Sequence, residues 1–92
     1  MSEVVTDNAA RRRFELDLGG STAFIDYRRQ DKTLFLNHAE VPMSLRGHGA
    51  GARLVKATLE LVRERGERVV PVCPFVEAFM QSHPEFAELR AS

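Results

Sequence analysis

The apolar residues change their spacing part of the way along this 92-residue chain, and three glycines stand at the change. Over residues 13–41 apolar and polar side chains alternate, which is the pattern of half-buried strands. Over residues 54–62 apolar side chains recur every three or four positions, which indicates an amphipathic helix. Gly47, Gly49 and Gly51 lie between the two regions. The chain is therefore predicted to pass from a sheet directly into a helix through a glycine-rich turn.

Turn signals divide the alternating region into three strands. Gly19 and Gly20 supply the positive φ angles of a tight hairpin turn, and residues 30–32 form a second polar turn. The third strand covers residues 33–41 and ends before Pro42, which has no amide hydrogen to donate to a neighbouring strand. Strands joined by such short turns are expected to form an antiparallel meander.

The second half of the chain indicates a β-α-β unit followed by a short helix. After the glycines, a helix ends at Gly66, a fourth strand covers residues 68–73, and a short helix covers residues 75–82. The crossover between the third and fourth strands is expected to be right-handed and the two strands parallel. The prediction is an α+β fold whose mixed sheet has an antiparallel start and a parallel end.

Composition limits the size and class of the protein. The prediction is a flexible tail over residues 1–10 and a single domain over residues 11–92.

Thirteen basic residues balance thirteen acidic ones, which argues against a nucleic-acid or membrane-surface binder. One cysteine and no apolar run of signal-peptide or membrane-helix length indicate a soluble cytoplasmic protein. So small a sheet is expected to be monomeric or to form a weak homodimer.

The glycine segment is a candidate binding site for phosphate oxygens. Glycines allow close approach of a ligand, and the free amides of a first helical turn carry partial positive charge. Arg46 adds a full charge with a fork of donors. A glycine-rich turn without a ligand would explain the same pattern. The spacing fits neither a P-loop, because no Gly-Lys-Ser/Thr follows, nor the G-x-G-x-x-G dinucleotide motif.

A family resemblance narrows the identity of this ligand. Arg46-x-x-Gly49-x-Gly51 resembles the R/Q-x-x-G-x-G/A signature of the GNAT superfamily of acyl-CoA-dependent N-acetyltransferases. The run over residues 40–49 looks like the strand, bulge and loop of that family. Residues 69–76 and 83–86 are similar to the branch of short, stand-alone, YjdJ-type proteins. The resemblance covers residues 13–89 and implies a minimal GNAT fold.

The resemblance also implies a ligand, a reaction and a set of binding residues. The ligand would be acetyl-CoA or coenzyme A, held in a V between the splayed third and fourth strands. The acceptor would be a primary amine of a small molecule or a protein lysine. Independently of the resemblance, no metal is expected, because well-separated histidines and one cysteine do not make a metal site. The backbone of Val41 would pair with the pantetheine arm. The pyrophosphate would be held by Arg46, Gly47, His48, Gly49, Ala50 and Gly51.

Glu40 and His38 are the candidate proton acceptors for the amine. They are two residues apart in the third strand, and so share one face at a spacing of about 7 Å. An imidazole titrates near neutral pH, which suits it to accept a proton. Equally, both side chains could simply face solvent or pair with each other.

Cys73, at the end of the fourth strand, is either a nucleophile that carries the acyl group or a small buried hydrophobic residue. Many members of the family have a tyrosine on the last helix as the acid for the departing thiolate. This chain has Phe79 and Met80 there, and its one tyrosine is Tyr27. The alternative to an enzyme is therefore an acyl-CoA-binding module, non-catalytic or weakly catalytic, that acts through a partner.

Overall fold

The computed structural model describes residues 4–47 and 49–91. In this part of the chain the strands are β1 (Thr6–Asn8), β2 (Arg13–Asp17), β3 (Thr22–Gln30), β4 (Thr33–Glu40) and β5 (Arg68–Pro71). The helices are α1 (Ala50–Glu64) and α2 (Pro74–Ser82), and two 3₁₀ segments cover Met43–Leu45 and Pro84–Leu89. None of these helices is long and apolar enough to cross a membrane.

The strands form one sheet in the order β1-β2-β3-β4-β5. The pairs from β1 to β4 are antiparallel. β4 and β5 pair in parallel, and α1 connects them along the chain. The predicted α+β fold, with its antiparallel meander, β-α-β unit and short final helix, is confirmed. The hairpin glycines Gly19 and Gly20 have φ angles of 76° and 99°, as the turn prediction required.

A single core lies between the sheet and the helices. Alternate residues of β2, β3 and β4 are buried, and one stripe of α1 faces them. These residues are Phe14, Leu16, Ala23, Ile25, Tyr27, Leu34, Leu36, Leu54, Val55, Leu59 and Val62. Gly66, with a φ of 67°, follows the last turn of α1 and lets the chain reverse into β5. The apolar spacing read from the sequence thus fixes both sides of this core.

Part of the segment predicted as a flexible tail, residues 1–10, forms β1. Val5 is buried, and β1 pairs with β2 in the register Asp7 to Phe14. The Asp7 carboxylate accepts a hydrogen bond of 2.6 Å from the hydroxyl of Tyr27 and one of 2.8 Å from Arg65. These partners lie 20 and 58 residues away. A three-residue strand held by such distant contacts has no local pattern to reveal it.

The contact between Tyr27 and Asp7 makes a testable prediction about pH. Burial, followed by the hydrogen bond to Asp7, raises the pKa of Tyr27 above its ordinary value of about 10. The folded chain therefore holds the phenolic proton more tightly than the unfolded chain does. The resulting stabilisation is complete below the unfolded pKa and is lost as the pH rises through the folded pKa.

Asp7→Asn is expected to move the Tyr27 pKa back toward the ordinary value, because it removes the charge that opposes tyrosinate. The titration can be followed by tyrosinate absorbance, since the chain has one tyrosine and no tryptophan. Asp31→Asn, in the exposed turn between β3 and β4, is the matched control and should leave the midpoint unchanged. Equal midpoints in wild type and Asp7→Asn would contradict the prediction.

Candidate functional site

The sheet opens between β4 and β5. The two strands pair from Thr33 to Leu36, and the amide of Cys73 then donates a last hydrogen bond of 2.8 Å to the Leu36 carbonyl. β5 ends at Pro71, where the chain turns away into α2. Beyond this point β4 has a strand partner on its β3 side only. The free edge of β4 therefore forms one wall of a V-shaped cleft, as the resemblance implied.

A bulge in β4 decides which side chains reach this cleft. The register between β3 and β4 shifts opposite Asn37, which has no partner residue on β3. After the bulge Ala39 and Val41 pack on the core, while His38 and Glu40 are exposed. An unbroken strand would have continued the inward positions of Leu34 and Leu36 to His38 and Glu40. The bulge thus keeps the two candidate proton acceptors out of the core.

The cleft has a volume of about 540 Å³. It is lined by the end of β4, the loop that follows, the first turn of α1 and one residue of α2. The lining residues are His38, Ala39, Glu40, Val41, Leu45, Arg46, Gly47, Gly49, Ala50, Gly51, Ala52 and Phe75. The structure therefore brings the predicted binding residues together with His38 and Glu40. His48, also predicted to bind the cofactor, lies outside the described residues.

Two of the three glycines are required by the backbone of the loop. Gly47 and Gly49 have φ angles of 85° and 77°, in the left-handed region that other residues rarely adopt. Gly49 is the N-cap of α1, and its carbonyl accepts the first helical bond, from the amide of Arg53 at 3.1 Å. The amides of Ala50, Gly51 and Ala52 come before this bond and so have no partner within the helix.

The start of α1 is thus suited to an anion. No acidic side chain lies in its first turn, and its N-cap residue, Gly49, has no side chain with which to cap the amides. Apart from the adjacent residues in the chain, a Cβ placed on Gly47 or Gly49 would meet no described atom within 4 Å, so the space above both glycines is open. Free amides beside open space at the positive end of a helix fit the oxygens of a diphosphate.

Gly51 is a glycine for a different reason. Its φ is not in the left-handed region, but a Cβ at this position would lie 2.8 Å from Cζ of Phe75. The glycine therefore makes room for an aromatic ring from α2. The sequence predicts only ligand binding for Gly51 and does not indicate Phe75 as a residue of the site. A glycine within a helical turn, without a need for positive φ, was the available signal for such a close contact.

Arg46 connects the two ends of the loop at the entrance to the cleft. Its Nε donates a hydrogen bond of 3.1 Å to the carbonyl of Val41, the first residue after β4. The guanidinium group is exposed and lies among the lining residues beside Gly47. Arg46 thus closes the loop over residues 41–46 and adds positive charge where the free amides of α1 begin.

Cys73 lies outside the lining of the cleft. Only 6% of the residue is exposed, and it belongs to the core at the N-terminus of α2. This position favours the interpretation of Cys73 as a small buried hydrophobic residue. Tyr27 is also remote from the cleft, because it is buried on β3 against Asp7. No group of three His, Cys, Asp or Glu residues suited to a metal occurs within 4–47 and 49–91.

Known proteins are similar to this chain in sequence or in fold. Residues 13–89 match the family of GCN5-related N-acetyltransferases. Protein NATD1 of Bos taurus is 32% identical over 83 residues, which cover 87% of this chain and 74% of that protein. Protein NATD1 of Danio rerio is 32% identical over 89 residues, which cover 91% of this chain and 81% of that protein. The solution structure of a GCN5-like protein from Staphylococcus aureus has a TM-score of 0.71 at 23% identity, covering 100% of this chain and 92% of the other. The chain belongs to the GCN5-related N-acetyltransferase family.

Proposed function

We propose that this chain transfers the acetyl group of acetyl-CoA to a primary amine, on a small molecule or on a protein lysine. The observation that carries the proposal is the cleft itself. One end presents the free amides of α1 beside Gly47 and Gly49, and one wall is the unpaired edge of β4. Coenzyme A has a diphosphate that suits the first feature and an amide-containing arm that suits the second.

Different parts of the cleft would bind different parts of coenzyme A. The amides of Ala50, Gly51 and Ala52 would hold the diphosphate, and the left-handed turn at Gly49 sets their direction. The backbone after the bulge would pair with the arm as an added strand does. The Val41 carbonyl already accepts one hydrogen bond, from Arg46, so its second lone pair and the neighbouring backbone groups of β4 are left for a ligand.

Glu40 is our candidate for the group that removes the proton from the amine. It lies at the end of β4, exposed and within the lining of the cleft. His38 shares this position two residues earlier and is the second candidate. Both reach the cleft beside the strand edge that would hold the thioester arm, where a proton acceptor is needed.

A weakly catalytic or non-catalytic acyl-CoA-binding module is the second candidate function. It is favoured by the shortage of proton donors for the departing thiolate. The described residues that line the cleft include no tyrosine, cysteine or lysine, and His38 is the one histidine among them. Cys73 and Tyr27 both lie elsewhere. An enzyme would release free thiol from acetyl-CoA in the presence of amines, whereas a non-catalytic binding module would not.

A cytoplasmic location and a monomeric or weakly homodimeric state stay predictions.

Thermal unfolding with coenzyme A tests the binding claim. A ligand at a hundred times its Kd stabilises the folded chain by about 2.7 kcal/mol. For a domain of this size, that raises Tm by on the order of ten degrees. Arg46→Ala is expected to weaken binding about tenfold, because charge-assisted contacts to phosphate contribute about 1.5–3 kcal/mol.

Arg28→Ala is the matched control for this titration. Arg28 is an exposed arginine of β3 that does not line the cleft, so its removal changes the net charge equally. The proposed function is lost if neither coenzyme A nor acetyl-CoA raises the Tm of the wild type. It is also weakened if the Arg46→Ala and Arg28→Ala variants bind coenzyme A equally well.

A further inference from the structure

Phe75 is a large apolar side chain with no evident reason to face water. It is 48% exposed at the second residue of α2, although its neighbour Val76 is fully buried. It is also the one residue of α2 among the described lining of the cleft. The ring therefore stands across the cleft from the free edge of β4. Its exposed surface is available to a ligand that enters between them.

The glycine at position 51 of α1 leaves room for this ring. A Cβ on Gly51 would lie 2.8 Å from Cζ of Phe75, closer than Cβ atoms approach, and 3.1 Å from its Cε2, so the ring would have to shift. The φ of Gly51 does not itself demand glycine, and glycine within a helix is unfavourable relative to alanine. The contact between Gly51 and Phe75 is thus the feature that this glycine serves.

The two walls of the cleft have different chemistry. The β4 wall offers unpaired backbone groups, which suit the amides of a ligand. The opposite wall is the aromatic ring of Phe75, which suits methylene and methyl groups. A ligand that satisfies both walls at once is a narrow chain with amides along one side and aliphatic carbon along the other.

We propose that Phe75, seated on Gly51, is the apolar wall against which the pantetheine arm of coenzyme A packs. The inference rests on the proposed function and adds a specificity to it. The amides of α1 recognise phosphate, which many nucleotides carry, whereas the ring recognises the arm. The pair formed by Gly51 and Phe75 therefore selects an acyl carrier with a long aliphatic amide arm over nucleotides that lack one.

The test compares coenzyme A with its nucleotide half, an ADP that carries the extra ribose phosphate but no arm. Calorimetry gives the Kd of each probe, and the Kd of the nucleotide divided by the Kd of coenzyme A measures how much the arm adds to the affinity. Phe75→Ala is expected to reduce this ratio about tenfold, or about 1.4 kcal/mol, because coenzyme A alone binds more weakly. Phe75→Leu, which keeps an apolar wall, should restore most of the ratio.

Gly51→Ala changes the other residue of the contact between Gly51 and Phe75. The added methyl group displaces the ring, so the ratio should fall although Phe75 is still present. The double variant should be no worse than Phe75→Ala alone, because the ring that the methyl group would displace is gone. Denaturant unfolding of each variant confirms that it is folded.

The outcomes separate the inference from the proposed function. If the wild type binds coenzyme A and Phe75→Ala leaves the ratio unchanged, Phe75 does not contact the arm and the inference is overturned. If the wild type binds neither probe, the proposed function fails and the inference fails with it. Equal weakening of both probes in Phe75→Ala would assign the ring to the nucleotide and also contradict the inference.

Discussion

Glu40→Gln is expected to lower kcat for acetyl transfer to amines by about a hundredfold, since a positioned general base typically contributes 10²–10⁴ in rate. Glutamine has nearly the same size as glutamate but cannot accept a proton from the attacking amine. Glu40 is exposed at the end of β4, so its replacement should leave the fold and the Kd for acetyl-CoA intact. Thiol release with a panel of primary amines measures the effect.

Glu64→Gln is the matched control for this substitution. Glu64 is an exposed carboxylate at the last residue of α1, remote from the start of that helix where the cleft lies. Its rates should equal those of the wild type. Unchanged rates in Glu40→Gln would remove Glu40 from the mechanism and leave His38 as the candidate. A wild type that binds acetyl-CoA but releases no thiol with any amine would favour the acyl-CoA-binding module.

The parts of the fold that could be predicted from the sequence are those set by local spacing. Alternation over β2, β3 and β4 and the helical stripe of α1 depend on side chains only a few residues apart, so their pattern is visible in the chain. Gly19 and Gly66 are equally local, because each relieves a backbone strain at its own position. The order of elements then follows from the short connections between them.

The features that escaped prediction depend on contacts across the fold. β1 exists because Asp7 meets Tyr27 and Arg65, and neither partner is near it in the chain. The bulge at Asn37 is a mismatch between two strands, so no property of β4 alone reveals it. Without the bulge, the inward pattern of Leu34 and Leu36 would carry His38 into the core.

The candidate site was predictable in its main chain and less so in its side chains. The Arg46-x-x-Gly49-x-Gly51 spacing indicated a phosphate-binding turn, and the structure places these residues around one cleft. Gly51 has in addition a packing role that the sequence did not reveal, since it accommodates Phe75 on another helix. The contact between the two residues could not be predicted, because it exists only once α2 packs against α1.

Gly49→Ala is expected to weaken coenzyme A binding at least tenfold. With a φ of 77°, this position costs alanine about 1–2 kcal/mol, which the chain can reduce only by turning the first amides of α1 away from the cleft. If the turn is kept, the new methyl group enters the open space above Gly49, where the diphosphate would lie. Either response removes contacts with phosphate. Calorimetry with coenzyme A gives the change in Kd.

Gly66→Ala separates this loss of binding from loss of stability. Gly66 has a φ of 67°, also has open space around it, and follows the other end of the same helix. The 15 residues of α1 place it about 22 Å from Gly49. Both variants should lose a similar free energy of unfolding in denaturant, but only Gly49→Ala should lose coenzyme A affinity. Equal losses of affinity would mean that the backbone of Gly49 holds the fold together and does not hold the diphosphate.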